Sequence, residues 1–331
     1  MKANFRMVKG LKPYLGWVLL GGTIFFLAKA LKDNWQEVLG IELGKSGWGY
    51  MAIALLVTLL AHIWSGWVWS WILRFLDQPV DSMWCVGVYL KTNIAKYLPG
   101  NVWHFYGRVR TATAAGVPLT VGTLSLLMEL LLMAAAALSI AAIGSPLLNQ
   151  GLTRVSMVAM ILMAVHPWVL NPLLKQLALF KGSDQTFRVN CYPLLPLLGE
   201  LGFLELRGMG FLLTMHAFGP LSPLQIPQLM SAFSLSWLLG LVLPGAPGGI
   251  GVFEATAIAQ LSGEYSPAIV LSAVALYRLV SILAEACGAL LAWLHQPGRD
   301  GPLVSESAHH VAHLPGSDMG GRLWTRSERP D

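Results

Sequence analysis

The chain has 331 residues, of which 55% are hydrophobic and 12% charged, with a mean hydropathy of +0.60. A soluble domain carries about 25% charged residues, so the composition excludes an ordinary soluble enzyme and points to an all-α, polytopic integral membrane protein. The net charge of +5 is not a nucleic-acid signal, because the basic residues gather at the edges of apolar runs, where membrane proteins keep them.

In chain order, Lys2, Arg6, Lys9 and Lys12 precede a first apolar run. A signal peptide cleaved near Ala28-Lys29-Ala30 is one reading of it. A retained helix over 13–31 is preferred, with Lys29 and Lys32 snorkelling to the far interface. Further spanning helices are predicted over 48–73, 119–143, 152–174, 193–216 and 267–294, about six in all. Polar linkers occupy 32–47 and 175–190. Residues 297–331 are rich in Gly, Pro, Ser and His and read as a disordered cytoplasmic tail behind a membrane domain over 1–296. The tryptophans at 64, 67, 69 and 71 read as an interfacial belt.

Two hairpins, 81–116 and 226–262, interrupt this series. Each contains a Leu-Pro-Gly break, Leu98-Pro99-Gly100 and Leu243-Pro244-Gly245. Proline lacks the amide donor and glycine tolerates unusual dihedrals, so each triplet ends a helix within apolar sequence. A broken helix at membrane depth survives only where it is buried in protein or lines a cavity. Paired breaks in two halves of a membrane protein point to a transporter's binding site.

Orientation follows from the basic residues. With both hairpins re-entrant and the N-terminus inside, only Lys29, Lys32 and Lys45 fall outside. The inside segments hold the N-terminal cluster, Arg74, Arg108, Arg110, the 175–190 linker and the tail. The hairpins then enter from opposite sides, and the halves, about 48–143 and 193–294, form an inverted repeat. The alternative is that both arms of each hairpin span. Glu129 follows Pro118, and Arg278 follows Pro267, by the same eleven residues. The two are therefore expected at one depth and in contact, with Glu205 or Glu285 as the other choice for Arg278.

The first hairpin is the most polar apolar-flanked segment, with Lys91, Lys96, Asn101, His104, Arg108 and Arg110. Charges at the bilayer centre cost at least about 2.5–3.5 kcal/mol each, so these groups should face protein or water. Two lysines and a new helix N-terminus after Gly100 suit an anionic group such as phosphate; structural pairing of Lys91 and Lys96 with acids is the other reading. The string Leu243-Pro-Gly-Ala-Pro-Gly-Gly-Ile-Gly-Val-Phe-Glu254 lets backbone approach a ligand through Gly248 and Gly249, or lets helices pack closely. Glu200 and Arg207 are seven apart, as are Arg278 and Glu285, so each pair shares a face and its members are about 10 Å apart along the axis. They are expected to pair across helices. The near match to a phosphate loop at Gly40–Ser46 is one residue short and is assigned to chance. The histidines show no metal spacing, and no nucleophile elbow or catalytic triad is visible. No cofactor, metal or catalytic residue is expected, and no nucleic-acid partner.

Tyr97-Leu-Pro-Gly-Asn-Val-Trp103 with Arg108, and the glycine string ending at Glu254, resemble the lysylphosphatidylglycerol synthetase/flippase transmembrane-domain family, over roughly residues 10–295. The resemblance implies a lipid-translocase fold in a bacterial-type inner membrane, both termini cytoplasmic. It maps the family motif onto Pro99, Gly100, Arg108, Pro244, Gly245, Gly248, Gly249, Gly251 and Glu254. The 35 residues after 296 are too few for the soluble synthetase domain, so lipid aminoacylation by this chain alone is not expected. The function expected is translocation of a lipid or lipid-linked substrate, with a membrane lipid and a lipid-modifying enzyme as partners. The alternatives are a membrane-embedded lipid- or glycolipid-modifying enzyme and a scaffold for a lipid synthase. Lys91, Lys96, Asn101, His104, Arg108, Glu129, Gly248, Gly249, Glu254 and Arg278 are the expected substrate-binding residues.

Overall fold

The computed structural model describes residues 43–98, 102–145, 151–172, 189–242 and 251–295. Among these residues the regular structure is all helical. Helix α1 spans Lys45–Phe75 and α2 Ser82–Asn93, continued by a 3-10 turn over Ile94–Tyr97. Then come α3 Trp103–Ala114, α4 Leu119–Gly144 and α5 Gly151–Ala164. The second half has α6 Leu194–His216, α7 Ile226–Val242, α8 Val252–Leu261 and α9 Pro267–Leu294.

Three of these helices, over Ser46–Phe75, Leu119–Gly144 and Pro267–Leu294, are long and apolar enough to cross a membrane. They coincide with three of the six predicted spans. Helix α6 has the length of a span, at 23 residues, but carries Glu200, Glu205 and Arg207 in its body. The segment predicted as one helix over 152–174 is not continuous: α5 stops at Ala164, and the chain turns at Val165-His166 before resuming helix. Pro167 supplies the reason, because it lacks an amide hydrogen and disfavours helical dihedrals in the residue before it. The predicted first helix (13–31), most of both linkers and the tail lie outside the described residues.

Local chemistry sets the helix ends. After α1 the chain turns through Asp77 at φ 58°, and the Gln78 amide returns to the Leu73 carbonyl at 2.9 Å. The Arg74 guanidinium then donates to the Val80 carbonyl and to Ser82 Oγ, at 3.0 and 2.7 Å. Asp81 caps α2 by accepting from the Trp84 amide at 2.7 Å, a contact worth about 1 kcal/mol in typical helices. Helix α3 closes through Gly116, whose φ of 96° is a left-handed value open to glycine. At α9, Pro267 occupies the first turn and Ser266 accepts from the Ile269 amide.

The first hairpin helix ends at Tyr97, just before its Leu-Pro-Gly triplet, and helix resumes at Trp103; in the second hairpin, helix is described up to Val242 and again from Val252. The sixteen residues of α2 and its 3-10 extension rise about 26 Å, and the twelve of α3 about 18 Å. Pro99, Gly100, Asn101, Pro244, Gly245, Gly248 and Gly249 lie outside the described residues.

Among the described residues, helices α1 and α6 form the most extensive contact. Around this central pair the packing is reciprocal. Helix α4 packs on α6 and α7, while α9 packs on α1 and α2. Each half thus lays its last helix on the first two helices of the other half. Between lipid-embedded helices, attraction rests on close packing rather than on removal of surface from water, which favours small residues at contacts. A methyl group on Gly66 would stand 2.7 Å from the Val86 Cα, and one on Gly144 would stand 1.9 Å from the Pro227 carbonyl oxygen. These glycines fix the α1–α2 and α4–α7 spacings.

Among the described residues two large apolar clusters fill most of the interior, with two smaller ones beside them. One, between α1, α2, α4 and α6, is built on Trp69, Ile72, Leu73, Leu132 and Leu197. The other is built on Phe211, Phe233 and Tyr277 with Phe253 at its edge, whose rings meet at 5.6–6.2 Å. Ile53, Leu56 and Leu60 make an exposed apolar stripe on α1, as expected of a face turned to lipid. The predicted tryptophan belt is corrected. Trp69 is buried, with its indole donating to Ser125 Oγ, and Trp64 donates to the Gly199 carbonyl. Their ring N–H groups have partners inside the bundle, which an interfacial ring would find in water. Of the four, Trp67 is the exposed one.

Candidate functional site

Apolar helices that carry charges must turn them inward, where each charge needs a partner. Here they meet around a cavity of about 80 Å³ lined by residues of α1, α2 and its 3-10 turn, α3, α4, α6 and α7. Its polar lining comprises His62, Tyr89, Asn93, Lys96, His104, Arg108, Glu129 and Arg207.

On one side, Arg108 Nη1 donates to both oxygens of Glu129, at 2.7 and 2.6 Å. Both side chains are almost wholly buried. The guanidinium lies 4.0 Å from the Tyr89 ring centroid, with the Trp69 and Phe105 rings each at 5.7 Å. An aromatic cage of this kind stabilises a desolvated cation through the ring quadrupoles. The Tyr89 hydroxyl accepts from Ser65 Oγ at 2.7 Å, which holds the ring in place.

On the other side, Glu285 of α9 collects three basic side chains from three elements. Lys96 Nζ bonds to its Oε1. His62 Nε2 stands 3.2 Å and Arg207 Nη1 3.9 Å from the same atom. His62 Nε2 also faces Arg207 Nη1 at 3.0 Å, and its Nδ1 faces Asn93 at 3.4 Å. The Arg207 carbonyl accepts from the Tyr277 hydroxyl.

The predicted site residues are therefore divided. Lys96, His104, Arg108 and Glu129 come together at the cavity. His104 is buried against Phe105, and its Nδ1 has no hydrogen-bond partner. Lys91 is exposed on α2 and stands apart from the cavity. The expected Glu129–Arg278 contact is corrected: Glu129 pairs with Arg108, and Arg278 Nη2 pairs with Glu254 Oε1 at 2.6 Å. Equal depth was the basis for the expected pair, but depth leaves direction open, and each charge takes the partner on the adjoining arm. Neither Glu205 nor Glu285 holds Arg278 through a direct ion pair in the described residues. Glu254 also accepts from the Gly251 amide at 2.8 Å, closing the first turn of α8. Glu254 thus both caps α8 and pairs with Arg278. Asn101, Gly248 and Gly249 lie outside the described residues.

His62, Tyr89, Asn93 and Arg207 line the cavity, and Glu285 pairs with its cations from behind, none of them in the predicted set. Glu285 and Arg207 were visible as midplane charges expected to pair across helices, and they meet each other. His62 had a weaker signal, as a lone polar ring in an apolar helix. Among the described residues no group of three or more His, Cys, Asp or Glu side chains has a geometry suited to a metal ion. No known family model matches the chain, and no curated protein matches it.

Proposed function

We propose that the protein is a lipid translocase, a membrane transporter that carries a lipid or lipid-linked substrate with an anionic headgroup across a bacterial-type inner membrane. The observation that carries this reading is the cavity, whose lining holds Lys96, Arg108 and Arg207 against two carboxylates, Glu129 in the lining and Glu285 behind Lys96. Cations at membrane depth are costly, and a surplus of them around a cavity suits a phosphate, which the planar guanidinium fork binds well. The cavity takes only part of a headgroup as it stands. Passage requires it to open, and the interrupted arms α2 and α3, which supply Lys96 and Arg108, are the elements that open it. The reciprocal packing of the halves supports an inverted repeat with opposed re-entrant hairpins, both termini being cytoplasmic. A lipid-modifying enzyme is the partner that would supply such a substrate.

The test is headgroup-resolved lipid movement by the purified protein in liposomes. Lipids with anionic headgroups are expected to cross faster than in protein-free vesicles, and Arg207→Gln is expected to slow them at least tenfold. Equal rates with and without protein reject the reading.

A further inference from the structure

Glu200 lies on α6 with no exposed surface, and neither of its carboxyl oxygens has a hydrogen-bond partner. It does not line the cavity. Its electrostatic neighbours are Glu129, Arg108 and Tyr89. The Arg108 guanidinium serves Glu129 through Nη1 alone, and its Nε also lacks a partner. Two buried carboxyls therefore share the neighbourhood of one cation. Both cannot stay ionised in a low-dielectric interior, because the second negative charge would have neither a counter-charge nor a hydrogen bond.

Of the other charged groups, Glu205 on the same helix is exposed, and those on the helices packed around it are paired elsewhere. On α1, His62 faces Arg207 and Glu285, and on α9 Glu285 holds Lys96 while Arg278 holds Glu254. Arg207 lies two turns along α6 from Glu200. Helix α7 carries no charged residue. A metal ion needs several ligands, and among the described residues no group of three or more His, Cys, Asp or Glu side chains could hold one, so a proton is the cation that fits.

We infer that Glu200 is a proton-binding site, and that Glu129 and Glu200 are alternative carboxylate partners for Arg108, the one not paired holding the proton. In the arrangement seen here Glu129 is the carboxylate and Glu200 the acid. When Arg108 moves to Glu200, a proton leaves the Glu200 oxygen and one is taken up by Glu129, which has access to the cavity. The guanidinium stays charged throughout, so charge is conserved. An anion that draws Arg108 away from both carboxyls leaves them to be neutralised by one additional proton. The translocase reading would make that proton the coupling ion, but the site itself stands on the carboxyl geometry.

Infrared difference spectroscopy of the purified protein tests it without any transport assay. The wild type at neutral pH should show the carbonyl stretch of a protonated carboxylic acid that is absent in Glu200→Gln and shifted in Glu200→Asp. In Glu129→Gln, Arg108 is released to Glu200, and the band should vanish as Glu200 ionises. If Glu200→Gln removes no band, Glu200 is ionised and the site is overturned. A band that persists in Glu129→Gln makes Glu200 a static buried acid and overturns the exchange. The Asp variant, together with the pH titration of the wild-type band, keeps the test decisive should one glutamine variant fail to fold.

Discussion

The two halves of the molecule use the same device in opposite charge and different surroundings. In the first, a basic residue on the short arm, Arg108, holds an acid on the following long helix, Glu129. In the second, an acid on the short arm, Glu254, holds a base on the following long helix, Arg278. Each pair ties an arm to its long helix. The first pair is sealed, at 1% and 2% side-chain exposure, inside a cage of Tyr89, Trp69 and Phe105. The second is open, at 15% and 19%, and its acid is also spent on closing a helix turn. Connectivity alone therefore does not assign a role. Desolvation makes the first pair energetically demanding and joins it to the cavity, whereas partial exposure leaves the second as a tether.

The contrast can be broken from either side. The largest effect is expected in Arg108→Gln, which leaves Glu129 buried without its counter-charge. Loss of one member of a buried pair costs about 3–5 kcal/mol, read as a large fall in the apparent melting temperature of detergent-solubilised protein. The reversed pair, Arg108→Glu with Glu129→Arg, should recover part of that loss, and no recovery would mean that the aromatic cage and not the pair sets the requirement. Next comes Gly144→Ala. Its methyl group would meet the Pro227 carbonyl oxygen, and overpacking typically costs about 1–3 kcal/mol. A melting temperature equal to wild type would show that α4 and α7 are not held at the observed spacing.

Arg278→Gln should cost about 1 kcal/mol, in the range of partly exposed pairs, and should leave cavity function largely intact. A loss as large as that of Arg108→Gln would erase the distinction between the halves. The smallest effect is expected in Lys91→Ala, because the side chain is exposed and away from the cavity. Unchanged melting and unchanged lipid movement are the expected result, and a strong defect would restore Lys91 to the site. The geometric side of the comparison is tested by cysteine labelling with Cys85, Cys191 and Cys287 replaced. Thr113 and Gly263, at the ends of the two arms, should react from opposite faces of the membrane, and reaction of both from one face would end the inverted relation.

The sequence by itself determined the helical membrane class, three long apolar helices and the end of the first hairpin's helix just before its Leu-Pro-Gly triplet. These follow from local causes. Apolar length sets what can cross a membrane, and proline with glycine sets where a helix stops. Local rules also explain the break at Val165-His166, since Pro167 was in plain view; the apolar run around it concealed the stop. What only the tertiary structure decided is which charge meets which. The spacing of Glu129 and Arg278 gave their height along a helix, and the seven-residue spacing of Glu200 and Arg207 gave a shared face. Neither spacing fixes the helix that lies opposite. Arg108 reaches Glu129 because α3 folds back on α4, and Glu285 gathers Lys96, His62 and Arg207 because α9 lies against the first half. Such pairings depend on the azimuth and neighbours of whole helices, which no window of sequence contains.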